Sequence, residues 1–404
     1  MAEKSNEIEK EIRAEIKRRK KKPQRQKKSR VRHPWLLALV LVVVLGAVSF
    51  AAYRGLDSAD SLRRMYTYSR LEKDADGKAE LFRYDSDRSA TYAMLGDGLL
   101  SVSTTRIRLL GGDGEEIWAR TVNFKRPAIA AGNQTAAVYD IGGQELYVFD
   151  THGLLRDMSA ETENGILAVS INDAGYLALT ALKSGYRAAV TVYNASLAPI
   201  FTFNSSERYV SDACVMNDNR HLAAVTLGEA DGGFASILTF YAFDSEQPIS
   251  ETTLSDSMVL SLGNVGDTLA ALQDDRLTIF LADGSLSGSY RYEYPYLRGQ
   301  SPGGGGFAAL LLSRYRSGST LRLVTVNEKG EILGTLNTQH EVLDVSATGQ
   351  YVAVLYGDSL TIYTPELTEY ATLNGTEYAK QVAMRDDGTA LLIGASRGWL
   401  YIPN

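Results

Sequence analysis

The chain has four histidines, His33, His152, His221 and His340, and one cysteine, Cys214. None of them sits in a His-Glu-x-x-His helix, a paired-cysteine motif or a Gly-x-Ser-x-Gly elbow, so zinc and serine hydrolysis lack their usual residues. The run Gly303–Gly306 has no Lys-Ser/Thr behind it to hold phosphate, and reads as a flexible loop. Asp74, Asp76 and Gly77 have the spacing that opens a calcium loop but lack its later ligands, and read as a turn. Cys214 lies in an apolar stretch and is expected as a small buried residue. No catalytic set, metal site or cofactor is expected.

Two features have the chemistry of binding. Three hairpins are longer than their equivalents: Lys183–Arg187, Gly228–Gly233 and Arg314–Ser319. They carry Lys183, Tyr186 and Arg187; Glu229 and Asp231; and Arg314, Tyr315 and Arg316. Tyrosine and arginine on protruding loops favour contacts with proteins or glycans. Surface hairpins also tolerate insertions at little cost, which is the competing account. The second feature is Tyr290, Tyr292, Tyr294 and Tyr296, whose alternation puts four phenols on one face of an extended segment. Such a ladder can stack a sugar or a partner strand, or pad a neighbouring strand.

The elements that would position these residues come from a repeat. A short apolar strand recurs eight times, beginning at Ile107, Leu146, Val190, Leu238, Leu277, Leu321, Leu360 and Leu400. The successive spacings are 39, 44, 48, 39, 44, 39 and 40 residues. A period near forty with several strands per unit indicates an all-β protein, an eight-bladed β-propeller, or a seven-bladed one if a unit is degenerate. In each unit a second strand of small apolar residues, as in Leu222-Ala-Ala-Val, suits packing between neighbouring blades. The last unit stops after its third strand. Leu81-Phe-Arg-Tyr84 is expected to supply the fourth and so remove two free sheet edges.

Charge divides the chain further. Residues 1–33 hold 14 Lys/Arg against 5 Asp/Glu, a net +9, which leaves −15 on the remaining 371 residues. Between the two parts, Pro34–Tyr53 carries no charge and is long enough as a helix to cross a bilayer, with Trp35 and Tyr53 at its ends. A cleaved signal peptide is the alternative, but the charged leader and the apolar run are both long for one. The excess of basic residues ahead of the run places the N-terminus in the cytoplasm and the bulk of the chain outside. The run Lys17, Arg18, Arg19, Lys20, Lys21 and Lys22 is placed to contact anionic lipid. No aromatic residues interleave with these cations, and nucleic acid is not an expected partner. The expected organisation is a basic cytoplasmic tail (1–33), a transmembrane helix (34–54), a juxtamembrane stalk with a helical Leu56–Leu71 (55–79) and the propeller (80–404).

The segment Gly112-Asp-Gly-Glu-Glu-Ile-Trp118 resembles the Asp-x-x-Gly-x-x-x-Trp turn of quinoprotein-like repeats, in one unit only. As a whole the chain resembles the uncharacterised propeller proteins of Gram-positive bacteria, in which a basic tail and one transmembrane helix precede a quinoprotein-like or WD40-like domain of unknown function. That resemblance implies a propeller and transfers no activity. The expected function is a membrane-anchored, extracytoplasmic binding or scaffolding module for a protein or cell-envelope polymer. A degenerate quinoprotein-type oxidoreductase, a glycan-acting enzyme and a transmembrane sensor are the alternatives.

Overall fold

In a computed structural model, residues 57–403 are described, apart from 85–89, 163, 231, 256 and 319. The apolar run, the tail and Lys17–Lys22 lie outside these residues. Among the described residues no helix is long and apolar enough to cross a membrane. Helix α1 (Asp57–Thr67) precedes 32 strands arranged as eight four-stranded antiparallel sheets.

Each sheet is one blade. Blades one to seven span residues 91–121, 127–157, 166–205, 209–255, 259–291, 296–338 and 342–374. In these seven the strands lie in chain order from the central channel outward. Blade eight combines residues 379–401 with strand Lys78–Arg83, which pairs with Arg397–Tyr401. The eight recurring motifs are therefore the third strands, and the ring closes through the expected N-terminal segment.

Packing follows from composition. Second strands such as Thr268–Gln273, Phe307–Ser313 and Tyr351–Tyr356 are buried along their whole length. The alanines in them, such as Ala270, Ala271, Ala308, Ala309 and Ala353, allow neighbouring blades to approach on both faces. The core divides into eight clusters, each shared by two adjacent blades. At the closing interface Phe82 and Tyr84 pack against Leu99, Leu110, Leu391 and Ile393. The Tyr84 hydroxyl donates toward the carbonyl oxygens of Arg397 (2.8 Å) and Gly394 (3.0 Å).

Two irregularities repeat around the ring. Every pair of third and fourth strands has one bulged residue in the outer strand: Ile117, Leu155, Ile200, Ile249, Ser287, Leu333, Tyr370 and, in blade eight, Leu81. A bulge adds local twist, which suits the strand farthest from the axis. The inner strands have the opposite difficulty, since their free edges leave backbone N–H groups facing the next blade. Short side chains satisfy these groups. Asp212 accepts from Leu262 N–H at 2.9 Å, Asp344 from Val382 at 2.9 Å, Ser301 from Ala347 at 2.8 Å and Ser346 from Met384 at 2.9 Å.

The four-glycine run is not the flexible loop that its composition predicts. Gly304 bridges Gly349 of blade seven, and Gly305 N–H donates to the Gly349 carbonyl at 2.7 Å. A Cβ on Gly303 would come within 2.6 Å of the Ala347 carbonyl oxygen. The glycines are there for close backbone approach between blades.

Candidate functional site

In every blade the connection between second and third strands leaves the same end of the sheet, so the three long hairpins share one face. In blade three, Gly185 takes φ +83°, Tyr186 N–H closes on the Lys183 carbonyl at 3.0 Å, and Arg187 N–H reaches Ser205 O at 2.8 Å. The blade-four hairpin is an extension of the strands themselves. His221–Ala230 and Gly233–Ala242 stay paired to the Ala230–Gly233 turn, which sets Glu229 opposite Phe234. Asp231 lies outside the described residues. In blade six, Arg314 N–H bonds Thr320 O at 3.1 Å, and Arg298 on the inner strand donates to the hairpin carbonyls of Tyr315 and Arg316.

The cations on this face rest on rings. Arg187 lies 5.3 Å from the Tyr209 ring centre and donates to its hydroxyl at 3.2 Å, linking blades three and four. Lys183 is 5.8 Å from Tyr186, and Arg314 is 5.8 Å from Tyr315. Tyr186, Tyr209, Phe234, Met258, Leu260 and Tyr315 are all exposed here. Tyr209, Met258 and Leu260 belong to none of the three hairpins. Only the propeller's strand order puts Tyr209, Met258 and Leu260 on the same end as the hairpins, and sequence spacing did not identify them.

The four alternating tyrosines are divided between two blades. Tyr290 is the penultimate residue of the outer strand of blade five, Tyr292 and Tyr294 lie in the connection, and Tyr296 opens the inner strand of blade six. Tyr290 and Tyr292 are buried in the interface between these blades, and the Tyr292 hydroxyl donates to Gln273 O at 3.0 Å. Tyr294 packs against the same cluster beneath Arg322, 4.8 Å from its ring. Tyr296 alone is exposed. The first three rings fill an interface and present no open ladder.

The opposite face holds the mouth of the channel, a cavity of about 1060 Å³ lined by residues of all eight blades. Its charged groups are Asp97, Asp173, Asp386 and Asp387 with Arg63 and Arg385. Asn217 and Asn264 use their Nδ2 groups to bond Gly266 O and Val215 O, at 2.8 and 2.9 Å, and keep buried Oδ1 atoms without a partner. Cys214 also lines the cavity, and burial pushes its thiol pKa far up, with the nearby Asp212 adding to the effect. Burial likewise pushes the Asp212 carboxyl up to about 6, against two backbone N–H donors. A thiol held protonated is a poor nucleophile. Among the described residues no group of three or more His, Cys, Asp or Glu could hold a metal ion.

Helix α1 docks at this mouth. Arg64 is buried and donates to Asp387 O and the Tyr370 hydroxyl, each at 2.7 Å. Tyr351 donates to Asp60 at 2.7 Å, Arg63 pairs with Asp386 at 3.1 Å, and Tyr68 donates to Asp387 at 2.8 Å. After the helix, Asp74 Oδ1 accepts from the N–H groups of Asp76 (3.0 Å) and Lys78 (2.9 Å), which makes this segment the expected turn. Trp118, the residue behind the quinoprotein-like motif, lies edge-on to Phe149 at 4.9 Å between blades one and two.

Solved structures share the fold. The C-terminal WD40 domain of Sif2 superposes with a TM-score of 0.56 at 15% identity, covering 81% of this chain and 99% of that domain. The Dos1 propeller superposes at 0.52 with 10% identity, over 80% of this chain and 95% of that one. No curated protein is significantly similar in sequence. A family model described as a family of unknown function, DUF5711, matches residues 69–393, and the chain belongs to that family.

Proposed function

We propose that this propeller is a non-catalytic binding platform, held at the outer face of a cell membrane by Pro34–Tyr53 with the basic tail in the cytoplasm. It engages a protein or cell-envelope polymer through the face that bears the long hairpins. The observation that supports this reading is that exposed Tyr186, Tyr209, Phe234 and Tyr315, with Lys183, Arg187 and Arg314, share one face of the ring across blades three, four and six. Aromatic rings with stacked guanidiniums are the side chains that dominate interface energetics. They are also partly ordered before binding, which lowers the entropy cost of association.

The test is photo-crosslinking in cells from Tyr186, Tyr209 and Tyr315, with Ile200 on the outer rim as the control position. One recurrent adduct from the three hairpin-face positions, absent from the rim, is expected. No specific adduct, or the same adducts from every position, would remove the platform reading. Turnover of a small molecule by the purified chain would favour an enzyme instead.

A further inference from the structure

Helix α1 has two faces with opposite character. Asp60, Arg64 and Tyr68, spaced four residues apart, point into the propeller and are held by Tyr351, Asp387 and Tyr370. Leu62, Met65 and Tyr66 fall on the other side and are 60%, 69% and 86% exposed. The described residues leave these three apolar side chains uncovered, on the face of the ring that carries the channel mouth.

We propose that Leu62, Met65 and Tyr66 seat on the lipid interface of the membrane, so that the channel mouth faces the bilayer and the long hairpins face away. The inference rests on Pro34–Tyr53 being the membrane anchor. Chain length then limits the possibilities. Eight residues lie between Tyr53 and Leu62, and the chain is helical from Asp57, so this length of chain can span no more than roughly 20 Å. Headgroups extend several ångströms beyond the hydrocarbon on each side, which brings the exposed face within reach of them. The chemistry fits as well. An apolar helix face flanked by basic residues lies in the interfacial plane, and tyrosine favours that depth. Besides Arg64, Arg63, Arg70 and Lys73 are the described basic residues in and just after the helix. With Arg64 clamped to blade eight, a seated helix would fix the tilt of the whole ring.

The experiment is site-directed spin labelling of the full chain in vesicles of phosphatidylcholine with phosphatidylglycerol. Labels are placed singly through Leu62→Cys, Met65→Cys, Tyr66→Cys, Val43→Cys and Tyr186→Cys; the native Cys214 is buried. Labels at 62, 65 and 66 should lose most collisions with an aqueous nickel chelate and gain collisions with oxygen, whereas the label at 186 stays water-like. If 62, 65 and 66 are water-like while 43 lies deep in the bilayer, the anchor stands and the seating is overturned. If 43 is also water-like, the anchor reading fails and takes the seating with it. Dipolar broadening confined to 62, 65 and 66 would assign the face to a second copy and overturn the proposal.

Discussion

The Arg64 guanidinium donates to the carbonyl oxygen of Asp387 across 2.7 Å, joining the only described α-helix to the hairpin of the last blade, 323 residues further along the chain. A second arm of the same fork reaches the Tyr370 hydroxyl on blade seven. Hydrogen bonds from a charged donor contribute about 1.5–3 kcal/mol each, more than neutral ones. Arg64→Ala should therefore detach α1 and leave the blades intact. Hydrogen exchange should show residues 60–68 losing amide protection while blades two to five keep theirs. Arg64→Lys should not restore it, because a single ammonium cannot span both acceptors as a planar fork does. Unchanged protection in Arg64→Ala would mean that other contacts hold the helix.

Ring closure depends on Phe82. Its side chain is fully buried in the interface of blades eight and one, the smallest of the eight clusters. Phe82→Ala should cost about 3–5 kcal/mol, the usual range for emptying a buried phenylalanine site. Denaturant unfolding followed by fluorescence would measure it. The variant should also open first at blade eight, seen as early exchange in Ala390–Gly394. A loss below about 1 kcal/mol would show that the N-terminal strand contributes little to closure.

The carboxyl of Asp212 has backbone donors but no cation among its hydrogen-bonding partners, and burial raises its pKa to about 6 from 3.8. A raised acid pKa means that the folded state holds the proton more tightly than the unfolded chain. Between pH 4 and 6 this group's contribution to stability is thus lost as pH rises, by on the order of 3 kcal/mol. Asp212→Asn keeps a carbonyl oxygen for Leu262 N–H and removes the titration. The difference in unfolding free energy, variant minus native, should grow toward the variant from pH 4 to pH 7. A flat difference across that window would contradict the account.

The sequence reveals parts of this fold that follow from local rules. Third strands show as alternating apolar runs, and the closing strand shows because the last unit stops one strand short. The polar seam could not be seen. Asp212 and Ser346 become acceptors only once a ring places the next blade's free N–H groups against them. Turn glycines mark only some of the blades. Gly114, Gly284 and Gly330 hold the left-handed position between third and fourth strands, whereas Leu197 and Leu367 occupy it in blades three and seven with φ near +57° and +59°. Burial of those leucines in adjacent clusters offsets the strain, so no glycine marks the turn. The tyrosine alternation runs straight through Pro295, and two strands in different blades look like one ladder. On the candidate face the long hairpins were legible because they are insertions. The exposed side chains beside them, Tyr209 and Leu260, join that face only through the tertiary arrangement.

Glycine provides the sharpest test of contact between blades at the rim, because two glycines with ordinary φ differ only in surroundings. A Cβ on Gly288 would sit 1.8 Å from the Lys329 carbonyl oxygen, where the outer strand of blade five meets the turn of blade six. The opposing atom is backbone and cannot swing away. Gly288→Ala must push the two blades apart, at a cost of about 1–3 kcal/mol or more. Gly357, in a hairpin of blade seven, has nothing within 4 Å of the same position. There the added methyl group acts mainly by restricting the unfolded chain, and Gly357→Ala should gain about 0.4–1 kcal/mol. Opposite shifts in thermal midpoint are therefore expected from one chemical change at two sites. If Gly288→Ala were as harmless as Gly357→Ala, blades five and six could not be in contact at the rim.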